Sequence, residues 1–320
     1  MIKRYIEKIA LLTVVMLSAC TQRIDVPVGQ DIALSASVVD VEQGTKSSAY
    51  VGSVPSAAHP LHADLWFSRT SGDYSVAVPS DDKTYVPCHT SAVFNSENIT
   101  LITYGNDANK TLKYPTDDKS VYCIGLYPSN VWTWNGGKIT ASITGEQDLM
   151  FAHEIKGKWN EQFGAKPENS QQFRHLLTWI KVVLCATSYE AVSSWGAITK
   201  VDLINTPASI TTDKVDGSEY KYNGSQNLVL MNSESGKDLS LLKTEAGSVF
   251  CAPSSALTLS VTTKDGRVVN KNFEASFEAG KQYILVLYFN ELSVIDGFCT
   301  LASWENQNEN LYVTDNEAVL

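Results

Sequence analysis

Leu257-Thr258-Leu259-Ser260-Val261-Thr262, then Thr263-Lys264-Asp265-Gly266-Arg267, then Val268-Val269-Asn270-Lys271-Asn272-Phe273, is the stretch on which the reading of the fold turns. Leu257, Leu259 and Val261 alternate with Thr258, Ser260 and Thr262. That period of two gives a strand one apolar and one polar face. Asp265-Gly266 is a turn pair that accepts positive φ, so it returns the chain into a second strand over 268–273. Just downstream, residues 283–289 (Tyr-Ile-Leu-Val-Leu-Tyr-Phe) are apolar at every position. A strand of that kind is covered on both faces and belongs in the middle of a sheet.

The same style recurs upstream. Residues 61–68, 74–78, 99–104 and 121–127 are β-rich and bounded by turn residues. Residues 131–134 and 138–143 flank Asn135-Gly136-Gly137, a hairpin signal. Ile32, Leu34, Ala36 and Val38 alternate with Ala33, Ser35 and Ser37, a half-buried first strand, and a mostly polar loop over 41–48 follows. In residues 173–186, Leu176, Ile180 and Leu184 also fit a helical spacing, but the β-branched Ile180, Val182 and Val183 favour a strand. No long amphipathic helix and no alternation of strand with helix is present. Many short strands with turn signals between them predict an all-β chain built as two β-sandwich domains in tandem.

The length of 320 residues suits two domains of about 150 residues each. Gly164-Ala165-Lys166-Pro167-Glu168-Asn169-Ser170 collects turn formers and marks the predicted boundary. The resulting plan is a leader over 1–19, a tether over 20–30, sandwiches over 31–166 and 170–304, and a polar tail over 305–320. Hydrophobic residues at 43% and charged residues at 19% exclude wholesale disorder. A formal charge of −10 argues against binding a phosphate backbone, so no nucleic-acid partner is expected.

The leader has its own chemistry. Lys3, Arg4 and Lys8 precede an apolar stretch over 9–17 that is too short to span a bilayer, and Leu17-Ser18-Ala19-Cys20 follows directly. Small residues before a cysteine fit the cleavage and lipidation site of a bacterial lipoprotein, with the Cys20 thiol as the acceptor. Cys88, Cys123, Cys185, Cys251 and Cys299 are an odd set without a CxxC, and buried thiols are expected rather than a disulfide framework.

Three further stretches then carry a resemblance. They are Ile124-Gly125-Leu126-Tyr127-Pro128 with Gln147-Asp148-Leu149-Met150-Phe151-Ala152, Phe173-Arg174-His175-Leu176-Leu177-Thr178, and Ala279-Gly280-Lys281-Gln282-Tyr283 leading to Leu285-Val286-Leu287 and Trp304. In this order, behind a lipoprotein signal, the chain resembles the fimbrillin (Mfa-like) family of Bacteroidetes surface lipoproteins. The resemblance implies transthyretin-like sandwiches and a pilus subunit, a pilus anchor or a surface adhesin at the outer membrane. It implies partners as well: other fimbrial subunits joined by strand exchange, the outer membrane through lipid on Cys20, and a host glycan or protein. In a polymerising member, proteolysis after the first strand opens a groove that a neighbour's strand fills. Here the nearest basic residue after that strand is Lys46, where members of the family often carry Arg. The candidate donor strand is Leu311-Tyr312-Val313 with Ala318-Val319-Leu320, whose bland alternative is a frayed terminus.

Sites for catalysis are not evident. GxSxG, HExxH, P-loop and GxGxxG patterns are missing, so neither an enzyme, a metal nor a cofactor is expected. His59, His62 and Asp64 lie near one another, but Pro60 interrupts any ligand spacing. Cys88 and His89 are adjacent, and adjacent residues on a strand face opposite ways. Asp81-Asp82-Lys83 and Asp117-Asp118-Lys119 are charged turns, His175 is a core or interdomain histidine, and Asp148 caps a turn. Trp132 and Trp134 share one face of their strand; exposed, they would offer a stacking surface for a sugar or protein, and otherwise they fill the core.

Overall fold

The computed structural model describes residues 29–39, 55–81, 83–96, 98–105, 107–165, 169–292 and 295–302. Cys20, Lys46, Leu311, Tyr312, Val313, Ala318, Val319 and Leu320 lie outside them. The described chain is almost all β. Its first strands are β1 (Ala33–Leu34), β2 (Ala36–Val38), β3 (Leu61–Ser68), β4 (Cys88–Phe94), β5 (Thr100–Leu101), β6 (Val121–Tyr127), β7 (Thr133–Asn135), β8 (Lys138–Ser142), β9 (Met150–Gly157) and β10 (Gln171–His175). Then come β11 (Thr178–Ala186), α1 (Tyr189–Trp195), β12 (Ala197–Thr206), β13 (Ser209–Thr212), β14 (Lys221–Asn223), β15 (Gln226–Asp238), β16 (Thr244–Cys251), β17 (Ser254–Thr263), β18 (Val268–Phe277), β19 (Gln282–Phe289) and β20 (Ile295–Ala302).

The hairpin read from 257–273 is β17 and β18, with Leu257 opposite Phe273 and Val261 opposite Val269. Gly266 turns it at a φ of 85°, the left-handed region open to glycine. Burial follows the alternation: Leu257, Leu259 and Val261 are inside, and Thr258, Ser260 and Thr262 are only half-buried. Their sheet, ordered β15-β12-β17-β18, packs on a second sheet, β16-β11-β19-β20. Ile180, Val182, Leu184, Leu285 and Leu287 meet Val201, Leu203 and Leu259 between them. β19, apolar throughout, is flanked on both sides as its sequence requires.

The other half is organised around a six-stranded sheet ordered β2-β10-β9-β6-β3-β4. It is covered on both faces. On one, Leu61, Leu65 and Phe67 pack with Ile32, Leu34, Ile102, Leu112 and Tyr114. On the other, Trp66, Ile124, Leu126 and Phe151 pack with Ile139, Ala141 and Ile210 of the sheet β14-β13-β8-β7. That double cover explains why β3 is buried at every position but His62.

Three expectations are corrected. Residues 173–186 are not one strand: β10 pairs with β9 and β2, whereas β11 pairs with β16 and β19. The chain changes sheets at Leu176 and Leu177, which stay buried, so hydropathy does not register the break. The chain thus passes from one sheet to the other a few residues after the Gly164–Ser170 stretch. Residues 209–223 also cross back, with Ser209 opposite Ser142 and Thr211 opposite Thr140. Finally, residues 74–78 form no strand, and only Thr100 and Leu101 of 99–104 do.

Candidate functional site

The first strand is one extended segment shared by two sheets. Its start joins β5, with Ala33 opposite Leu101, and the Ile32 amide donates to the Leu112 carbonyl at 2.7 Å. The Ile102 amide donates to Ile32 at 3.0 Å and the Tyr114 amide to Gln30 at 2.9 Å. After Ser35 the segment changes partner and runs parallel to β10, with Ala36 opposite Gln171 and Val38 opposite Phe173. The Gln171 amide donates to Ser35 at 3.1 Å and the Val39 amide to Phe173 at 2.8 Å.

Alternation sends Ile32, Leu34, Ala36 and Val38 inward, all at most 5% exposed. Burying the three larger side chains is worth about 5–9 kcal/mol. A whole domain is stable by only about 5–15 kcal/mol. Among the described residues, β2 nonetheless lies at the edge of its sheet and pairs only with β10. The segment is therefore energetically large and topologically peripheral. Stripping it would bare an apolar trough over Ile102, Leu112, Tyr114 and Phe173, together with the pairing edge of β10. Such a trough accepts a replacement strand.

An ion pair pins the outer end. Lys113 Nζ lies 2.5 Å from Asp31 Oδ1, and the Thr111 hydroxyl donates to the same oxygen at 2.9 Å. The Lys113 hydrogen bond holds the Asp31 carboxyl below its ordinary range against some desolvation. Ile102 falls in the stretch 99–104 read as a strand, whereas the partners Leu112, Lys113 and Tyr114 escaped the sequence reading because their pairings are too short to leave a pattern.

The other candidate residues fall as follows. Trp132 is 6% exposed and its indole N–H donates to the Tyr127 carbonyl at 3.0 Å. Trp134 is half-buried and meets Tyr74 edge-on at 6.2 Å between ring centroids. The pair belongs to the packing of one cluster and does not make an open stacking surface. His62 is exposed, while Asp64 beside it is buried and bound to Ser91 and Asn130. His175, 3% exposed, sits against Asp148 with 2.5 Å between Nδ1 and Oδ2, tying the end of β10 to the loop before β9. Cys88 and Cys123 both lie opposite Phe67, on either side of it. Two strand spacings of about 4.8 Å separate them, beyond the reach of a disulfide.

The described chain is an all-β protein of packed sheets with a buried first strand at the edge of one of them. The fimbrillin-like family matches residues 73–304, most of the chain, and the protein belongs to that family. The match begins downstream of the first strand. Among solved structures, the chain is similar to a candidate cell adhesion protein of Bacteroides uniformis, at 16% identity and a TM-score of 0.51, covering 86% of this chain and 99% of that one. It is also similar to a candidate adhesin of Bacteroides thetaiotaomicron, at 9% identity and a TM-score of 0.48, covering 88% and 98%. No curated relative matches the sequence. The structural likenesses speak to the fold.

Proposed function

We propose that the protein is a fimbrial subunit, or a fimbria-associated surface adhesion lipoprotein, that assembles by β-strand exchange. The observation that carries this reading is the first strand: four consecutive inward side chains buried, on a segment that ends at a sheet edge. Family membership supports a fimbrial or adhesive role. In the proposed sequence of events the chain is anchored through lipid on Cys20, cleaved after Lys46, and relieved of its first strand. A neighbour's Leu311-Tyr312-Val313 and Ala318-Val319-Leu320 then occupy the trough. The second reading, a monomeric lipid-anchored module or pilus anchor that keeps its strand, is favoured by the same burial, because a strand worth several kcal/mol does not leave unaided.

Limited cleavage with a Lys-specific protease separates the two. Oligomers that grow with concentration, seen by light scattering and abolished by Lys46→Ala or by truncation after Trp304, are the expected result. A stable monomer after cleavage at Lys46 supports the second reading.

A further inference from the structure

A groove of about 480 Å³ runs along β4, the edge strand of the six-stranded sheet opposite to the first strand. Its size lies within the range of about 300–1,000 Å³ usual for small-molecule sites. Strands β3 and β4 bring Asp64 and Ser91 directly opposite each other, and the loop after β6 adds Asn130 and Trp132. Trp66 completes this wall, and Tyr104 stands in the facing one.

The polar part is prearranged. Asp64, 8% exposed, accepts from the Ser91 hydroxyl at 2.7 Å through Oδ1 and from the Asn130 amide at 2.6 Å through Oδ2. Asn130 adopts a φ of 64° to deliver that amide, a conformation that asparagine tolerates better than most residues. Each carboxylate oxygen keeps acceptor capacity for one more donor. The aromatic part is equally fixed. Trp66 stacks on His89 with centroids 4.1 Å apart and planes 5° apart, and His89 Nε2 is held by the Tyr74 carbonyl at 2.8 Å. The Trp132 indole is held by the Tyr127 carbonyl, and Tyr104 stacks on Tyr85.

The groove's charge selects its ligand. Among the described residues no Lys or Arg lines it, its one acidic side chain is Asp64, and burial pushes the His89 imidazole below its ordinary value. Phosphate, sulfate and acidic sugars are repelled. A ligand rich in hydroxyl donors, with apolar C–H patches between them, matches an acceptor strip bordered by aromatic edges. We propose that this groove is a binding subsite for a neutral pyranose unit of a surface glycan. The proposal rests on the adhesive half of the function above; the groove's polar residues Asp64 and Ser91 lie on β3 and β4, across the sheet from β2, whereas Tyr104 follows the segment that pairs with the start of the first strand.

The test is binding of the full chain to a printed array of neutral, sialylated and sulfated oligosaccharides. The best neutral binder is then titrated calorimetrically. Neutral glycans should bind, with Kd about 1 mM or tighter, and acidic ones should not. Ser91→Tyr, which fills the groove, and Tyr104→Ala, which removes a lining ring, should each weaken binding about tenfold or more while the protein stays folded at the titration temperature, as read by circular dichroism. Asp64→Asn should weaken it comparably, and Ser91→Ala only slightly. Protease-triggered oligomerisation is measured on the Asp64 and Ser91 variants and should be unchanged, so failure of the subsite and failure of the assembly reading stay distinct. No neutral glycan bound, preference for acidic glycans, binding indifferent to Ser91→Tyr, or capture of extended peptides in place of sugars would each overturn the proposal.

Discussion

Leu34→Ala probes the seat of the first strand at its centre. Leu34 is fully buried, and its neighbours Ile32 and Ala36 hold the backbone in place on either side. Replacing its isobutyl side chain by a methyl group in this buried site costs about 2–5 kcal/mol. For a unit of this size, each kcal/mol lowers the unfolding temperature by about 2–4 °C. The local effect is sharper. Amide exchange at Ile32, Ile102 and Tyr114, whose protection comes from the hydrogen bonds between the first strand and its seat, should accelerate by the same free energy. Exchange in β17 and β18, in the other core, should not change. Ser37→Ala, on the half-buried outer face of the same strand, is the control and should stay within about 0.5 kcal/mol. Hydrogen-exchange mass spectrometry of both variants reads all of these segments together. A Leu34→Ala protein losing less than about 1 kcal/mol, or losing protection equally in both cores, would refute the seating argument.

Acid should loosen the same strand from its outer end. The Asp31 carboxyl is depressed by its Lys113 partner, so its contribution is present above the unfolded carboxylate pKa of about 3.9 and disappears as pH falls through the folded value. Exchange near residue 32 should therefore rise below that pH in the wild type, and Asp31→Asn should remove the dependence. His175→Ala leaves the half-buried Asp148 without this hydrogen-bond partner and should cost about 1–3 kcal/mol in urea unfolding. Native thiol labelling should leave Cys123 and Cys251 untouched and reach Cys299, the half-buried one, first. Burial pushes the Cys251 thiol up to about 12, which leaves almost no thiolate at neutral pH. All five should label after denaturation without a reductant.

What could be read from the sequence was local. The β17–β18 hairpin, the fully apolar β19 and the Asn135-Gly136-Gly137 turn carry their geometry in a period or a turn pair, and each is found where it was expected. The inward set Ile32, Leu34, Ala36 and Val38 was legible for the same reason. The change of partner at Ser35 was not, because an extended backbone with the same alternation suits either sheet. Leu176 and Leu177 hide the break between β10 and β11 by remaining apolar and buried. The pairing of 209–212 with 139–142 joins residues far apart in the chain, and nothing in either segment names the other. The groove was missed on the same ground: Asp64 meets Ser91 and Asn130 across separations of 27 and 66 residues. Its aromatic wall joins Trp132 to Trp66, a tryptophan that reads only as strand apolarity in its own segment.

The most direct test of strand exchange is the N-terminus of the protein taken from the cell surface, read by mass spectrometry on sheared, polymer-size material. The account predicts chains beginning just after Lys46, without Cys20 and without the Ile32–Val38 strand. Assembled material whose chains all begin at a lipidated Cys20 and retain residues 20–46 would contradict it.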